Sequence, residues 1–279
     1  MNWHALAAAT HATTPRVPFS VGGRRVGSVA MAHLPALKAF AGRLAVSGDS
    51  VDLNVPPAER DRAFEHVNHA LHEQGLIVAW RDETYAVVDP ETLEVLARFE
   101  RAASRFWGSL TFGAHATGYV AGPDGRPAKL WIAQRSFTKP TDPGLYDNLI
   151  GGGVPVGQTA AETLVREGFE EAGLTPEQLS GARAAGVLQV ARDIAEGFQH
   201  EWLYTFDIEL PAGLQPSNQD GEVAAFTLMP AEQALALAAG PSMTVDAALV
   251  TIDFALRHRL LDDPALAACV QTLRPTRMC

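Results

Sequence analysis

Cysteine is scarce in this chain: Cys269 and Cys279 are the only two in 279 residues, with no C-x-x-C and no Cys/His cluster. That excludes a disulfide scaffold and a zinc site of ordinary spacing, and it fits a reducing cytoplasm. Long apolar runs are missing as well. No stretch approaches the roughly 20 residues needed to cross a bilayer, and residues 1–14 have neither the basic start nor the apolar core of a secretion signal. A soluble chain that is not exported is therefore expected. Positive charge is in deficit, with 22 Lys and Arg against 32 Asp and Glu, a formal net charge of −10. Nucleic acid and anionic membrane repel such a surface, so neither is expected as a partner, and any phosphate on a ligand has to be met locally. Repeats of solenoid period and low-complexity tracts are also absent.

What is present is 47% hydrophobic residues, enough for one large domain or two modest ones. The most informative segment is a glycine run, Gly151-Gly152-Gly153, followed by Arg166-Glu167 and Glu170-Glu171. Glu167, Glu170 and Glu171 stand at i, i+3 and i+4, so on a helix they project into one narrow sector. Three carboxylates that close repel one another, and a cation is expected among them. Hard dications such as Mg²⁺ or Mn²⁺ prefer oxygen ligands, and the glycine carbonyls offer further neutral ones. Thr159 with Glu162 three residues on reads as a capping box, and Gly173 as the stop. Ala161, Val165, Phe169 and Ala172 recur at helical spacing and are expected to form the buried stripe.

Taken together, these residues resemble the signature box of the Nudix hydrolases, G-x5-E-x7-R-E-U-x-E-E-x-G-U with U apolar. Gly152, Arg166, Glu167, Glu170, Glu171, Gly173 and Leu174 stand at box positions, while Gln158 replaces the first glutamate and Gly168 an apolar residue. Gln158 removes a charge that would face Arg166, and Glu162, one turn away, is a candidate substitute. Gly168 lies toward the packing face, with Phe169 as the expected filler.

The pattern along the chain extends the resemblance. Residues 109–120 and 129–135 read as a strand pair, and 184–190, 201–210 and 222–229 as strands. Residues 230–239 and 245–259 read as helices. The order resembles the Nudix α/β/α sandwich with a mixed sheet. Residues 1–106 read as a separate small α+β domain, with helices at 31–44 and 57–74 and short strands at 19–21, 76–80 and 84–88, followed by the hydrolase domain at 107–279. His66, His69 and His72 read as structural.

An added N-terminal domain, the stretch from Arg135 through Lys139 to Asn148, and Asn218-Gln-Asp-Gly-Glu222 are similar to the Nudix proteins associated with thiamine pyrophosphokinase. That likeness implies hydrolysis of thiamine diphosphate, or its oxidised or damaged forms, to the monophosphate and phosphate. Metal would be held by Gly152, Glu167, Glu170 and Glu171, with Arg166 orienting a glutamate. Glu222, and with it Glu201, would supply a further ligand or the base, and Arg135, Lys139 and Gly153 would meet the substrate phosphates. Trp107, at the domain junction, is a candidate for stacking on a ring. A homodimer is consistent with this kind of protein. Other readings stay open: a nucleoside diphosphate-sugar or dinucleotide pyrophosphatase, an isoprenoid diphosphate isomerase, and a non-catalytic diphosphate-binding scaffold. The isomerase needs a cysteine near the box, where this chain has none.

Overall fold

The computed structural model describes residues 3–276. Cys279 lies outside them, and Cys269 is an exposed free thiol. A short helix α1 (His4–Ala8) precedes the hairpin of β1 (Arg16–Val21) and β2 (Arg24–Ala30). Gly22 and Gly23, at φ 60° and 78°, form the left-handed two-residue turn that matches the twist of paired strands. There follow α2 (Leu34–Leu37), β3 (Leu44–Val46) and β4 (Val51–Leu53), giving a sheet of order β2-β1-β4-β3. Helix α3 (Arg60–Glu73), the hairpin β5 (Thr84–Val88) with β6 (Val95–Glu100), and α4 (Ala103–Trp107) complete the unit.

Its core is aromatic. Trp107 is fully buried, stacked on Phe19 with 4.3 Å between centroids, and its indole N–H donates to Asn68 Oδ1 at 2.8 Å. Phe64 of α3 meets Phe19, Phe99 and Trp107 edge-on. Trp107 is thus a core residue with its polar edge already matched, not a surface for a ligand ring. The expected helix at 31–44 is broken into α2 and flanking 3-10 turns, because Pro35 interrupts the hydrogen-bond ladder. Residues 76–80 form no strand: the Ile77 carbonyl accepts from the His72 ring at 2.7 Å and Ala79 sits at φ 59°. His69 and His72 pack against Trp80, at 4.6 and 4.8 Å between centroids, as structural histidines do.

The second unit runs β7 (Leu110–Ala121), β8 (Pro127–Arg135), β9 (Tyr146–Asp147), β10 (Ile150–Gly153), α5 (Ala160–Ala172) and α6 (Pro176–Leu179). It continues through β11 (Arg183–Ile194), β12 (Gly197–Glu209), β13 (Val223–Pro230), α7 (Ala231–Ala239), α8 (Val245–Arg257) and α9 (Pro264–Thr272). The sheet order is β11-β12-β7-β8-β13, with β10 paired to β7 and β9 to β8. Strands β12 and β7 run parallel and the other pairs antiparallel, so the sheet is mixed. Strand β7 is buried along most of its length because both faces are covered. Helices α5 and α6, with Leu164 and Leu179, and Leu174 of the turn between them close one apolar layer; α7 and α8 close the other with Leu235, Leu249 and Phe254.

The start of the chain joins this second layer. Ala5 and Ala9 pack into its core, and the carbonyls of Ala9 and His11 accept from Ala191 and Asp193 of the edge strand β11 at 2.8 and 2.9 Å. Asp193 in turn accepts from the backbone of Thr13 and Thr14.

Trp107→Phe removes a buried donor and leaves Asn68 Oδ1 without its partner. The unfolding free energy in urea should fall by about 1–3 kcal/mol, with the m-value unchanged.

Candidate active site

Helix α5 begins as its sequence dictates. The Thr159 hydroxyl accepts from the Glu162 N–H at 3.2 Å, the Glu162 carboxylate accepts from the Thr159 N–H at 2.7 Å, and Gly173 ends the helix at φ 65°. Its orientation differs from the apolar stripe expected. Ala161 faces solvent, and Val165 and Phe169 are 38% and 56% exposed. The packed side carries Leu164, Gly168, Glu171 and Ala172. A Cβ on Gly168 would come within 2.7 Å of Leu179 and 3.1 Å of Ile150. Leu179 of α6 therefore fills the space of the missing side chain, not Phe169, and the bare position lets the helix turn its glutamates toward the sheet.

Glu167 and Glu171 turn toward β10, whose glycines are closely approached by what lies against them, while Glu170 is 40% exposed on Arg166. A Cβ on Gly151 would sit 3.1 Å from the His115 ring, one on Gly152 would overlap the Glu167 carboxyl carbon at 2.1 Å, and one on Gly153 would overlap the Tyr85 hydroxyl at 1.8 Å. The Gly151 N–H also donates to Glu171 at 2.9 Å. One side-chain-free strand thus receives a histidine from β7, a glutamate from α5 and a tyrosine from the first unit.

Each of the three box carboxylates is engaged by a cation. Arg166 lies 2.8 Å from both Glu167 and Glu170, and its Nε also donates to Gln158 at 3.3 Å. Gln158 keeps the contact a glutamate would make, as a neutral acceptor, while Glu162 is occupied with the cap. Glu171 is buried and faces Lys139 at 3.6 Å, and Lys139 bonds Glu222 at 2.5 Å. Glu222 also lies 3.7 Å from Arg81. Burial pushes Glu171 up to about 8, Glu167 nearby adding to the rise. Burial also raises Glu167, against the pull of Arg166. Burial would raise Glu222 too, but Lys139 and Arg81 outweigh it and hold that carboxyl low, which suits a fixed anion better than a base.

Among the described residues no three acidic, His or Cys side chains form a ready metal cage. The donor chemistry nevertheless fits a hard dication. Glu167 and Glu171 are carboxylates whose buried charge the neighbouring cations leave underbalanced, and the backbone of Gly152 lies against one of them. Mg²⁺ requires only one or two carboxylates, with water and phosphate completing its shell.

A cavity of about 670 Å³ opens beside β10. Of the residues nominated from sequence, it brings Arg135, Gly152, Gly153 and Glu201 to its wall, while Lys139, Glu171 and Glu222 line a small pocket next to it; Arg166, Glu167 and Glu170 line neither. Arg135 arrives engaged: its three nitrogens donate to Asp147 at 2.8 Å, Thr141 O at 2.9 Å and Asp142 O at 3.2 Å, bracing the loop before β9. Deeper in, the Gln199 amide donates to Glu201 and Asp246. Burial and the Glu201 charge raise Asp246, whereas burial of Glu201 is outweighed by Arg105 at 2.9 Å, which holds it low. The two acids are therefore shifted in opposite directions. Tyr85, Arg101, Arg105, His115 and Asp246 were missed in the sequence; they carry no local motif, and Asp246 reads as an ordinary first-turn helix acid.

Because Glu171 is protonated more readily folded than unfolded, the metal-free protein should lose stability as pH rises from about 4.5 through about 8. In chelator, Glu171→Gln should flatten that decline, read as denaturation midpoints at pH 5 and pH 9.

Residues 111–246 match the family model described as the NUDIX domain, and residues 2–110 match one described as a domain of unknown function (DUF4743). The protein called Nudix hydrolase 24, chloroplastic, from Arabidopsis thaliana is 36% identical over 251 residues, which cover 88% of this chain and 68% of that protein. Nudix hydrolase 20, chloroplastic, from the same plant is 37% identical over 203 residues, covering 72% of this chain and 54% of its own length. Among solved structures, DR0079 from Deinococcus radiodurans aligns with a TM-score of 0.46 at 22% identity, covering 61% of this chain and 97% of that one.

Proposed function

This chain belongs to the Nudix hydrolases, and from that premise we propose that it hydrolyses a small-molecule diphosphate with Mg²⁺ or Mn²⁺, thiamine diphosphate or its oxidised or damaged analogues being the substrate class. The observation that carries the reading is the meeting of Glu167 and Glu171 with β10, whose three glycines line the cavity; Glu171 itself lines the small pocket next to it and Glu167 lies behind the strand's Gly152. Glu167, Glu170, Glu171 and the Gly152 carbonyl would hold the metal, which when bound polarises the phosphoryl group and lowers the pKa of water.

The protein's own residues account for the rest. Arg166 fixes Glu167 and Glu170 from behind. Lys139 ties Glu171 to Glu222 and so sets the distance between α5 and the loop before β13. The first unit contributes Arg81, Tyr85, Arg101 and Arg105 to the wall of the cavity. The lining mixes arginines with the buried Glu201 and the half-buried Asp246, which supports a ligand that is anionic at one end and cationic or hydrogen-bonding at the other. Thiamine diphosphate is such a molecule. This finer substrate class, and kinship with the Nudix proteins associated with thiamine pyrophosphokinase, form part of the proposal, as does a cytoplasmic setting.

Phosphate release should be measured for thiamine diphosphate, its oxo and oxy derivatives, ADP-ribose and nucleoside diphosphates. The thiamine compounds should turn over fastest, and Glu167→Gln should lower the rate roughly 100-fold or more with the circular dichroism spectrum unchanged. A parental rate in the folded variant would remove the metal assignment; preference for ADP-ribose would replace the substrate class.

A further inference from the structure

The residues that sequence nominates for phosphate are not those left free to meet it. Arg135 is spent on its own loop, and Lys139, 8% exposed, is locked between Glu171 and Glu222. Arg192 on the same wall is tied to Gln199. The other arginines lining the cavity, Arg81, Arg101 and Arg105, all come from the first unit.

Arg101 is the best placed of them. It follows β6, and one nitrogen, Nη1, bonds Glu83 at 2.7 Å; among the described residues its Nε and Nη2 side-chain donors have no protein acceptor. Nη2 lies 3.3 Å from the point where a Cβ on Gly153 would stand, on the strand that Glu167 also touches. Its charge reaches both Glu167 and Glu222. Beneath it, Tyr85 is 4% exposed, its ring centroid 5.3 Å from the guanidinium carbon, and its hydroxyl, set in the notch at Gly153, has no hydrogen-bond partner. A guanidinium held by one carboxylate and one ring keeps two donors aligned in a fork, the geometry that binds a phosphate in bidentate fashion.

We propose that Arg101 binds a phosphate of the substrate and that Tyr85 positions it, so the first unit supplies the phosphate-binding wall of a site whose carboxylates come from the second. The ligand class is a diphosphate ester, and this rests on the diphosphate reading above. Without the first unit, the site lacks the cation that neutralises its anionic ligand.

The test uses the full chain and methylenediphosphonate, which cannot be hydrolysed, in magnesium buffer, so that it stands apart from turnover. By calorimetry, Arg101→Ala should raise the Kd roughly 10- to 100-fold and Arg101→Lys less, since a point charge replaces the fork. Tyr85→Leu should weaken binding and Tyr85→Phe restore it, because the ring and not the hydroxyl supports the guanidinium. A variant-free measurement guards against misfolding. In the parent protein, methylenediphosphonate should protect Arg101 from phenylglyoxal at least about fivefold by peptide mass spectrometry, while Arg98, 58% exposed on the same hairpin, reacts unchanged. Unaltered Kd in Arg101→Ala, no protection of Arg101, or no binding by the parent overturns the proposal. Binding and protection without phosphate release from any substrate would sink the hydrolase reading and leave this one standing.

Discussion

Three absent Cβ atoms set the geometry of the whole site. At Gly152 and Gly153 the backbone of β10 is approached by Glu167 and Tyr85 at distances that leave no room for a Cβ, and at Gly151 the His115 ring stands 3.1 Å from where one would be. The strand is thereby a shared floor: α5 leans on it from one layer, β7 carries it, and the β5–β6 hairpin of the first unit reaches it across the cavity. A methyl group at 152 or 153 would force apart elements far from each other in sequence, and close-packed interiors accommodate such an insertion poorly.

Around that floor, the charge arrangement divides the cations by role. Arg166, Lys139 and Arg135 face inward to the protein's own carboxylates and carbonyls and fix the framework. The arginines of the first unit stand on the opposite side with donors to spare. A chain with a deficit of positive charge thus concentrates part of it at one cavity, where low local dielectric makes each cation count for more than it would on an open surface.

Much of this was legible in the residues. The cap at Thr159, the stop at Gly173, the glycine run and the long strands of the second unit follow from local chemistry, and each lies near where the periodicity puts it. The facing of α5 was not legible, because Val165 and Phe169 offer a better apolar stripe than the side that packs. What decides is Gly168 meeting Leu179, a contact between two helices that no window on α5 contains. The arginines of the first unit were invisible for a similar reason: Arg101 and Tyr85 acquire meaning only when a hairpin meets a strand some fifty positions later. Trp107 shows the reverse error, an aromatic at a junction that serves the interior.

The segment from Ala9 to His11 lies along β11, an outer strand whose vacant amides would invite neighbouring molecules. Its carbonyls take the N–H groups of Ala191 and Asp193, and the Leu273 carbonyl takes that of Gln189, so residues near both ends of the described chain blunt this edge against pairing with another copy.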